Sequence, residues 1–593
     1  MAYNVKVGTV TKTTDTGVPV TQAVTGLGFQ PKAIMVWTYG RAGDATLRSA
    51  IAGASIDVLR PAIGFAADVG GGEESGVAAF FGVGANVDFN GGQRAATSRF
   101  IELVTASGAL VASASIDSFD ADGFTFNWQT NNAEAVELHY LALGGSDLTD
   151  VALLDWTMPV AAGNKAVTGA GFTPDCVIHI HAGAVTATTG DDAQLGIGVM
   201  EGADEWAATF SDNDGEQVTD AASRGQIVDG CILEIDPATQ VIDARASFVS
   251  MDADGFTTNF SVSPGAAHRV FSLCLAGGAY KAGSFAKTTG DVQTVRGLNM
   301  EPLAVLLASY GGAGSPEVLL DVRMGLGASD GTDDAAAAVD DPDDLLLEMS
   351  GYSRSDRALA YVDGPPATPV FVTATVERLL ADEIDLIWRQ NTADADLILY
   401  LALGTDLLST PITGVTVTPH GDKCNAGEAT LPYLDVCWDQ IVPGGAETFV
   451  QYNIYRREAG ATDWARIATV TAVATVCYRD FNVSSYQGYE YAVTWTATVS
   501  GSDRESARQV TAGRVDFDHV FVHEVGDAGD HHRADDADLE VARNGRGDGI
   551  RLARPRGDAG LGQAHHAGRA APPAGAPLRR KGNRRAHRGH RRV

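Results

Sequence analysis

Two kinds of cluster in this chain have the residue types and spacing to do chemistry. The first is Asp120-Ala121-Asp122-Gly123 and its echo Asp252-Ala253-Asp254-Gly255, which resemble the opening of a calcium loop. Such a loop needs further oxygen ligands and a terminal bidentate glutamate. Strand-like Phe124, Phe126 and Trp128 follow instead, so an Asp-Gly turn is the expected structure. The second is His179 and His181, which alternate and would share one strand face, as two metal ligands do. The matching positions elsewhere in the chain are Val36 and Thr38, and Leu307 and Ser309. Two hydrogen-bonded or exposed histidines are therefore expected there. The acidic run from Asp333-Asp334 to Asp343-Asp344 is read as a solvated loop, with cation binding as the lesser alternative. G-x-S-x-G, P-loop, dinucleotide and H-E-x-x-H motifs are missing from the sequence. Paired carboxylates of glycosidase type stay open, because spatial pairing does not show in sequence. No catalytic, cofactor-binding or metal-binding residue is assigned.

The elements that position these residues come in triplicate. Gly26-Leu-Gly-Phe-Gln-Pro31 leads into Ala33 to Trp37, and the phrase recurs from Gly169 to Ile180 and from Gly297 to Ala308. A second phrase ends at Trp128, Phe260 and Trp388, and a leucine follows each by thirteen residues, at Leu141, Leu273 and Leu401. From the proline of the first phrase to the aspartate of the second, the count is 91 for Pro31 to Asp122 but 80 for Pro174 to Asp254 and for Pro302 to Asp382. Such registers mark three copies of one domain, with an insertion between Tyr39 and Ala62 of copy one. Short apolar runs such as Ala33 to Trp37 suit a central strand covered on both faces. Asp122-Gly123 is expected to turn a hairpin, with closing strands at Val136 to Leu143, Arg269 to Leu275 and Leu397 to Leu403. The only helix candidate, Asp343 to Met349, is too short to matter. Trp128 and Trp388 are expected to be core.

Composition agrees. Charged residues are few, and Gly, Ala, Thr, Ser and Val abound. The net charge of −32 is uneven, because the last 53 residues hold 14 Lys/Arg and 2 Asp/Glu, leaving 29 basic against 73 acidic residues before them. Nucleic acid is not an expected partner of so acidic a body, whose charge favours solubility. The start, MAYNVKVGTV, lacks a basic region followed by an apolar one, and no long apolar run occurs, so neither signal-driven export nor membrane insertion is expected. Among the six cysteines, Cys176, Cys231 and Cys274 sit in apolar runs and read as small buried hydrophobes; no metal spacing joins them to Cys424, Cys437 and Cys477.

A different module follows Leu408. Trp438 on an early strand and Tyr489 opening a late one resemble the core tryptophan and corner tyrosine of the fibronectin type III sandwich. That resemblance implies a binding or spacer module without chemistry. The expected organisation is all-β: jelly-roll-like antiparallel sandwiches at 1–149, 150–283 and 284–410, a fibronectin type III/Ig-like sandwich at 411–513, and a basic tail at 514–593. Eight of the thirteen histidines lie beyond Phe517, and the tail reads as a disordered segment or as out-of-frame translation of GC-rich DNA, with a basic arm for nucleic acid as the lesser alternative.

Taken together, GLGFQPKAIMVW, DADGFTFNW and HYLALGG, followed by YNIYRREAGATDWARIATVTA, resemble virion structural proteins of tailed bacteriophages, especially tail-associated ones. The resemblance spans residues 1 to about 513 and implies a non-enzymatic exterior component of a phage or prophage particle, without cofactor. Its expected role is particle assembly and host-surface contact, with other virion proteins, further copies of itself and bacterial surface glycans as partners. Assembly in the host cytoplasm and residence in the virion would follow. A carbohydrate-binding bacterial adhesin and a tail depolymerase are the alternatives. Copy three departs from the pattern at Glu383 and at Leu298-Asn299-Met300, which sets it apart from the other two.

Overall fold

The computed structural model describes residues 3–511 apart from 43–47, 50–57, 71–72, 84–90, 105–108, 186–191, 214–221, 342–349, 364–369, 409, 421–432, 445–446, 462–463, 485–487 and 500–501. The helix candidate Asp343 to Met349, Cys424 and the basic tail from 514 on lie outside the described residues. Among the described residues there is no helix, and every sheet is antiparallel. The all-β expectation holds.

Each copy is a two-sheet sandwich. In copy one the large sheet runs Tyr3–Thr11, Glu137–Gly145, Pro31–Thr38, Ala62–Asp68, Glu73–Val83 and Gly91–Thr97. The small sheet runs Val20–Thr25, Gly123–Thr130, Leu110–Asp120 and Ile101–Val104. First strand pairs with last and second with next to last, which is the nested feature of a jelly roll; the strands from Pro31 to Thr97 run as a meander. Copies two and three repeat this order. The expected hairpins and closing strands are all present, Gly123–Thr130 opposite Leu110–Asp120 among them. Copy three begins earlier than residue 284, because Ala279–Ala286 is its first strand and pairs with Leu397–Asp406.

The continuous apolar runs have two destinations. In Pro31–Thr38, Ile34 and Val36 face the small sheet of their own copy, whereas Ala33, Met35 and Trp37 face away from it into a second core. Copy two sends Cys176, Ile178 and Ile180 to that second core, and copy three sends Ala304, Leu306 and Ala308. The recurrent Leu-x-Leu pairs, Leu141/Leu143, Leu273/Leu275 and Leu401/Leu403, end there too. The three large sheets thus share one central core, and each buried Leu, Ile, Met or Phe in it contributes about 1.5–3 kcal/mol.

Hydrogen bonds close this arrangement into a ring. Glu317–Leu320 of copy three adds a seventh strand to Ser223–Ile227 at the edge of copy two. Arg48–Ser49, inside the insertion of copy one, does the same for Ser350–Arg354 of copy three. Copy one meets copy two at Gln93, whose side-chain amide lies 3.4 Å from the Gly183 carbonyl, and at Gly76, where a Cβ would collide with the Phe271 ring. Lys281 of copy three pairs with Asp204 of copy two, and Lys6 of copy one pairs with Asp333 of copy three. The Trp206 indole of copy two donates to the Tyr400 carbonyl of copy three at 2.7 Å.

The fourth module packs the sheet Thr416–His420, Tyr433–Cys437, Cys477–Asp480 against a larger one built on Glu447–Glu458 and Tyr489–Val499. Its core holds Trp438, Tyr452, Tyr491 and Trp495. Cys437 and Cys477 are cross-strand neighbours joined by a disulfide, which sequence reading missed because their separation of 40 residues says nothing until the strands pair. Cys176, Cys231 and Cys274 are buried free thiols, as expected. The module is docked on copy three: Arg508 pairs with Glu383, Arg378 donates to the Trp464 carbonyl, and the Glu505 amide donates to Glu301 at 3.1 Å.

Trp206 is fully buried and its indole is satisfied across a seam between copies. Trp206→Ala is expected to cost about 3–5 kcal/mol by urea denaturation followed by circular dichroism. Burial pushes Glu301 up to about 7, partly opposed by the Glu505 amide. A carboxyl that is easier to protonate folded than unfolded stabilises the fold below its unfolded value near 4.5, and that contribution fades as pH rises through about 7. The melting temperature should therefore fall from pH 5 to pH 8 more steeply in the wild type than in Glu301→Gln; equal slopes would show that Glu301 does not drive the change.

Candidate functional site

The Asp-Gly turns are structural locks. In copy one the Asp122 carboxylate accepts from the Gly28 amide at 2.6 Å and the Gly26 amide at 3.1 Å. In copy two Asp254 accepts from Gly171 at 2.7 Å, and in copy three Asp382 accepts from Asn299 at 2.7 Å. Gly28 and Gly171 have φ near +80° and Asn299 has φ of 56°, so these loops turn their amides inward, where a carboxylate can collect them. This contact joins the two phrases of every copy and gives their fixed spacing a physical cause. Asp120 and Asp252 are engaged as well, each accepting hydroxyl hydrogen bonds from a serine and a threonine: Ser118 and Thr125, Ser250 and Thr257. The expected turn is present, with its carboxylates already committed to N–H and O–H donors.

Glu383, the departure in copy three, stands where copies one and two have Gly123 and Gly255. A Cβ at either glycine would strike the carbonyl of the neighbouring strand. In copy three the Glu383 side chain binds Arg296 at 2.9 Å and also receives Arg508 of the terminal module. The odd residue is thus one of the docking points of the fourth domain.

A lysine cap marks copies one and three. Lys12 donates to the side chain of Asn131 at 2.5 Å and lies 5.6 Å from the centre of the Trp128 ring. Lys287 repeats this with Asn391 at 2.7 Å and Trp388 at 5.8 Å. Burial, with Arg60 nearby, pushes Lys12 down to about 8 against the opposing pull of Glu134. Trp128 and Trp388 are core, as expected. Copy two has Met158 at the lysine position and Phe260 at the tryptophan position.

In that same copy the interior becomes ionisable. His179 and His181 are both buried, at 0% and 1% exposure, which removes the exposed reading. They also do not act as a pair. His179 faces the sandwich core, bonds the Ser272 hydroxyl at 2.7 Å, and is pushed down to about 3 by burial and by His181. His181 meets Glu234, a fully buried carboxylate on Ile232–Ile235: Nδ1 stands 3.1 Å from Oε1, without the alignment of a hydrogen bond. His268 Nδ1 lies 2.8 Å from the other oxygen of Glu234. Asp243 completes the group; one carboxylate oxygen each of Asp243 and Glu234 and a ring nitrogen of His268 lie within 4.8 Å of one another. Burial disfavours the charge on Glu234, yet the two imidazoles outweigh it and hold the carboxyl down at about 2. Burial likewise opposes charge on His268, but Glu234 prevails and raises it. Asp243 is raised by burial first and then by Glu234. Sequence reading found His181 but missed Glu234, Asp243 and His268, which reach it from three other strands or strand ends.

The acidic run is not a solvated loop in its described part. Asp334–Asp341 is a central strand of copy three, paired on both sides, with Asp340 3% and Asp341 7% exposed. Four consecutive alanines let both faces of that strand be covered, so the flanking aspartates mark its ends. Between copies one and two lies a cleft of about 490 Å³, lined by Ser75, Thr97, Ser98, Asp155, Trp156 and Lys165 among others.

No protein-family model matches this chain, and no curated protein matches it either.

Asp122→Ala removes an acceptor shared by two backbone amides and is expected to cost about 1–3 kcal/mol in urea denaturation. Added calcium should leave the wild-type midpoint unchanged; a calcium-dependent rise that Asp122→Ala abolishes would make the turn an ion site after all.

Proposed function

We propose that this chain is a non-enzymatic structural protein of a tailed phage or prophage particle, an exterior component that serves assembly and host-surface contact. The observation that carries this reading is what the three copies keep in common. All three retain the aspartate lock and the Leu-x-Leu strands that enter the shared core, and these features build a body. Polar groups suited to binding differ from copy to copy, as His181 against Thr38 and Ser309 illustrates. Triplication here has served rigidity and surface, in keeping with repeat architectures whose value is extent and valency. Phrase-level resemblance to tail-associated virion proteins points the same way. The terminal module is read as a fibronectin type III sandwich on two supports: its sheets of three and of four to five strands, and the Tyr489 hydroxyl, which accepts the Ser484 amide at 3.0 Å as a corner tyrosine does. As a spacer it would sit rigidly on copy three through Arg508 and Glu383. Partners on this reading are other virion proteins and further copies of the chain.

A carbohydrate-binding role is the second reading, and the cleft between copies one and two favours it. The Trp156 indole is buried and donates to Ser272, so the cleft offers Asp155, Lys165 and Ser/Thr hydroxyls, a polar lining suited to sugar hydroxyls.

Particles purified from an induced culture and analysed by mass spectrometry should yield peptides from residues 1–513. Recovery of the protein solely in the particle-free fraction would overturn the virion reading, and retention on a glycan array would then favour the adhesin.

A further inference from the structure

The interior group of copy two occupies four positions whose counterparts are known from strand pairing. In copy one they are Thr38, Leu103, Val111 and Val136; in copy three they are Ser309, Tyr361, Phe371 and Asp396. In copy two they are His181, Glu234, Asp243 and His268. Copy three solves the same spot with a neutral donor and one acid, the Tyr361 hydroxyl bonded to Asp396 at 2.5 Å. Copy one leaves it mostly apolar. Only copy two has put two carboxylates and two imidazoles there: Glu234 faces His268 through one oxygen and His181 through the other, and Asp243 adds a second carboxylate beside them that a cation would offset.

The backbone favours that gathering. Glu234 pairs with Ala244 and Ile235 with Ile242, so Asp243 is the extra residue of a β-bulge, the device that re-aims a side chain. Copy one has a bulge at the matching place but carries Val111 on it. His181, nearly fully buried, brings Nδ1 to 3.1 Å from Glu234 Oε1, and neither of its ring nitrogens has a hydrogen-bond partner. His181 thus stands against one oxygen of Glu234 and His268 against the other, and a small turn of the His181 ring would give Glu234 the outer hydrogen bond that metal-binding carboxylates receive.

We propose that copy two holds a divalent transition-metal ion of the zinc class, ligated by Glu234, Asp243 and His268, with His181 as the residue that positions Glu234. One nitrogen and two carboxylate oxygens are a borderline donor set, suited to Zn²⁺ or Mn²⁺ and unlike the all-oxygen shell that Ca²⁺ takes. The half-buried edge formed by Asp243 and His268 leaves a side open for water as a further ligand. The ion would tie together the strands Ile232–Ile235 and Ile242–Asp252 and the segment that enters Arg269–Ala276, which makes it a brace of copy two. This goes beyond the virion reading and does not depend on it.

The test uses the full chain, stripped with chelator and titrated with zinc chloride, beside Asp243→Asn and the double variant Asp243→Asn/His268→Gln. Wild type should bind one more zinc ion per chain than the double variant, a difference that separates this site from any zinc taken up by the histidine-bearing tail. Asp243→Asn removes a charged ligand and should weaken that ion by at least roughly 100-fold, the upper end of what loss of an outer-shell partner costs. Zinc should raise the melting temperature of wild type and leave that of the double variant unchanged. Equal zinc content and equal thermal response in all three proteins would overturn the proposal. Should the double variant fail to fold by circular dichroism, Asp243→Asn decides alone, because its side chain is half-exposed and its replacement is isosteric; unchanged zinc affinity in it would be equally fatal.

Discussion

The structure depends on one constraint: each large sheet is apolar on both faces, so no copy can satisfy itself. Its own small sheet covers one face and leaves Met35 and Trp37, Ile178 and Ile180, or Leu306 and Ala308 without cover. Three such sheets turned toward a common centre solve the problem for one another. Because the copies lie on one chain, the ring can close only if the third reaches the first, and Arg48–Ser49 in the insertion of copy one supplies that closing strand. The insertion, cheap in a loop, has become the latch of the assembly. Edge strands that would otherwise offer unpaired N–H and C=O groups are covered in the same step.

Within this frame the copies divide into what is held and what has drifted. The lock between the Asp carboxylate and the glycine loop persists in all three, down to an asparagine that takes up positive φ where a glycine is missing. The lysine cap over a buried tryptophan persists in two. Copy three uses its hairpin turn to seat the terminal sandwich, and copy two fills its interior with histidines and carboxylates. Each change is local, since a shared core punishes changes in shape while it tolerates a change of chemistry wherever partners are supplied. A body of this kind is held by one shared core and individual in its parts.

How much was legible follows the range of the interactions. Hairpins, closing strands and the threefold repeat could be read because turns and alternation are written in neighbouring residues. The unbroken apolar run of Ala33 to Trp37 also announced a second covered face, although it could not say that sister copies cover it. Asp334–Asp341 was misread because an alanine run between aspartates has no alternation to follow, and burial on both faces is decided by strands far off in sequence.

The sequence by itself determined the strands, their phrases and the spacing between Pro31 and Asp122 or between Pro174 and Asp254, since these rest on local turn chemistry and period. Only the tertiary structure decided which faces meet, that Cys437 joins Cys477, that Glu383 receives Arg508, and that His181, Glu234, Asp243 and His268 converge. Those residues lie in different strands and loops, and their distances are set by sheet pairing and by the closing of the ring, quantities that no local stretch of chain contains.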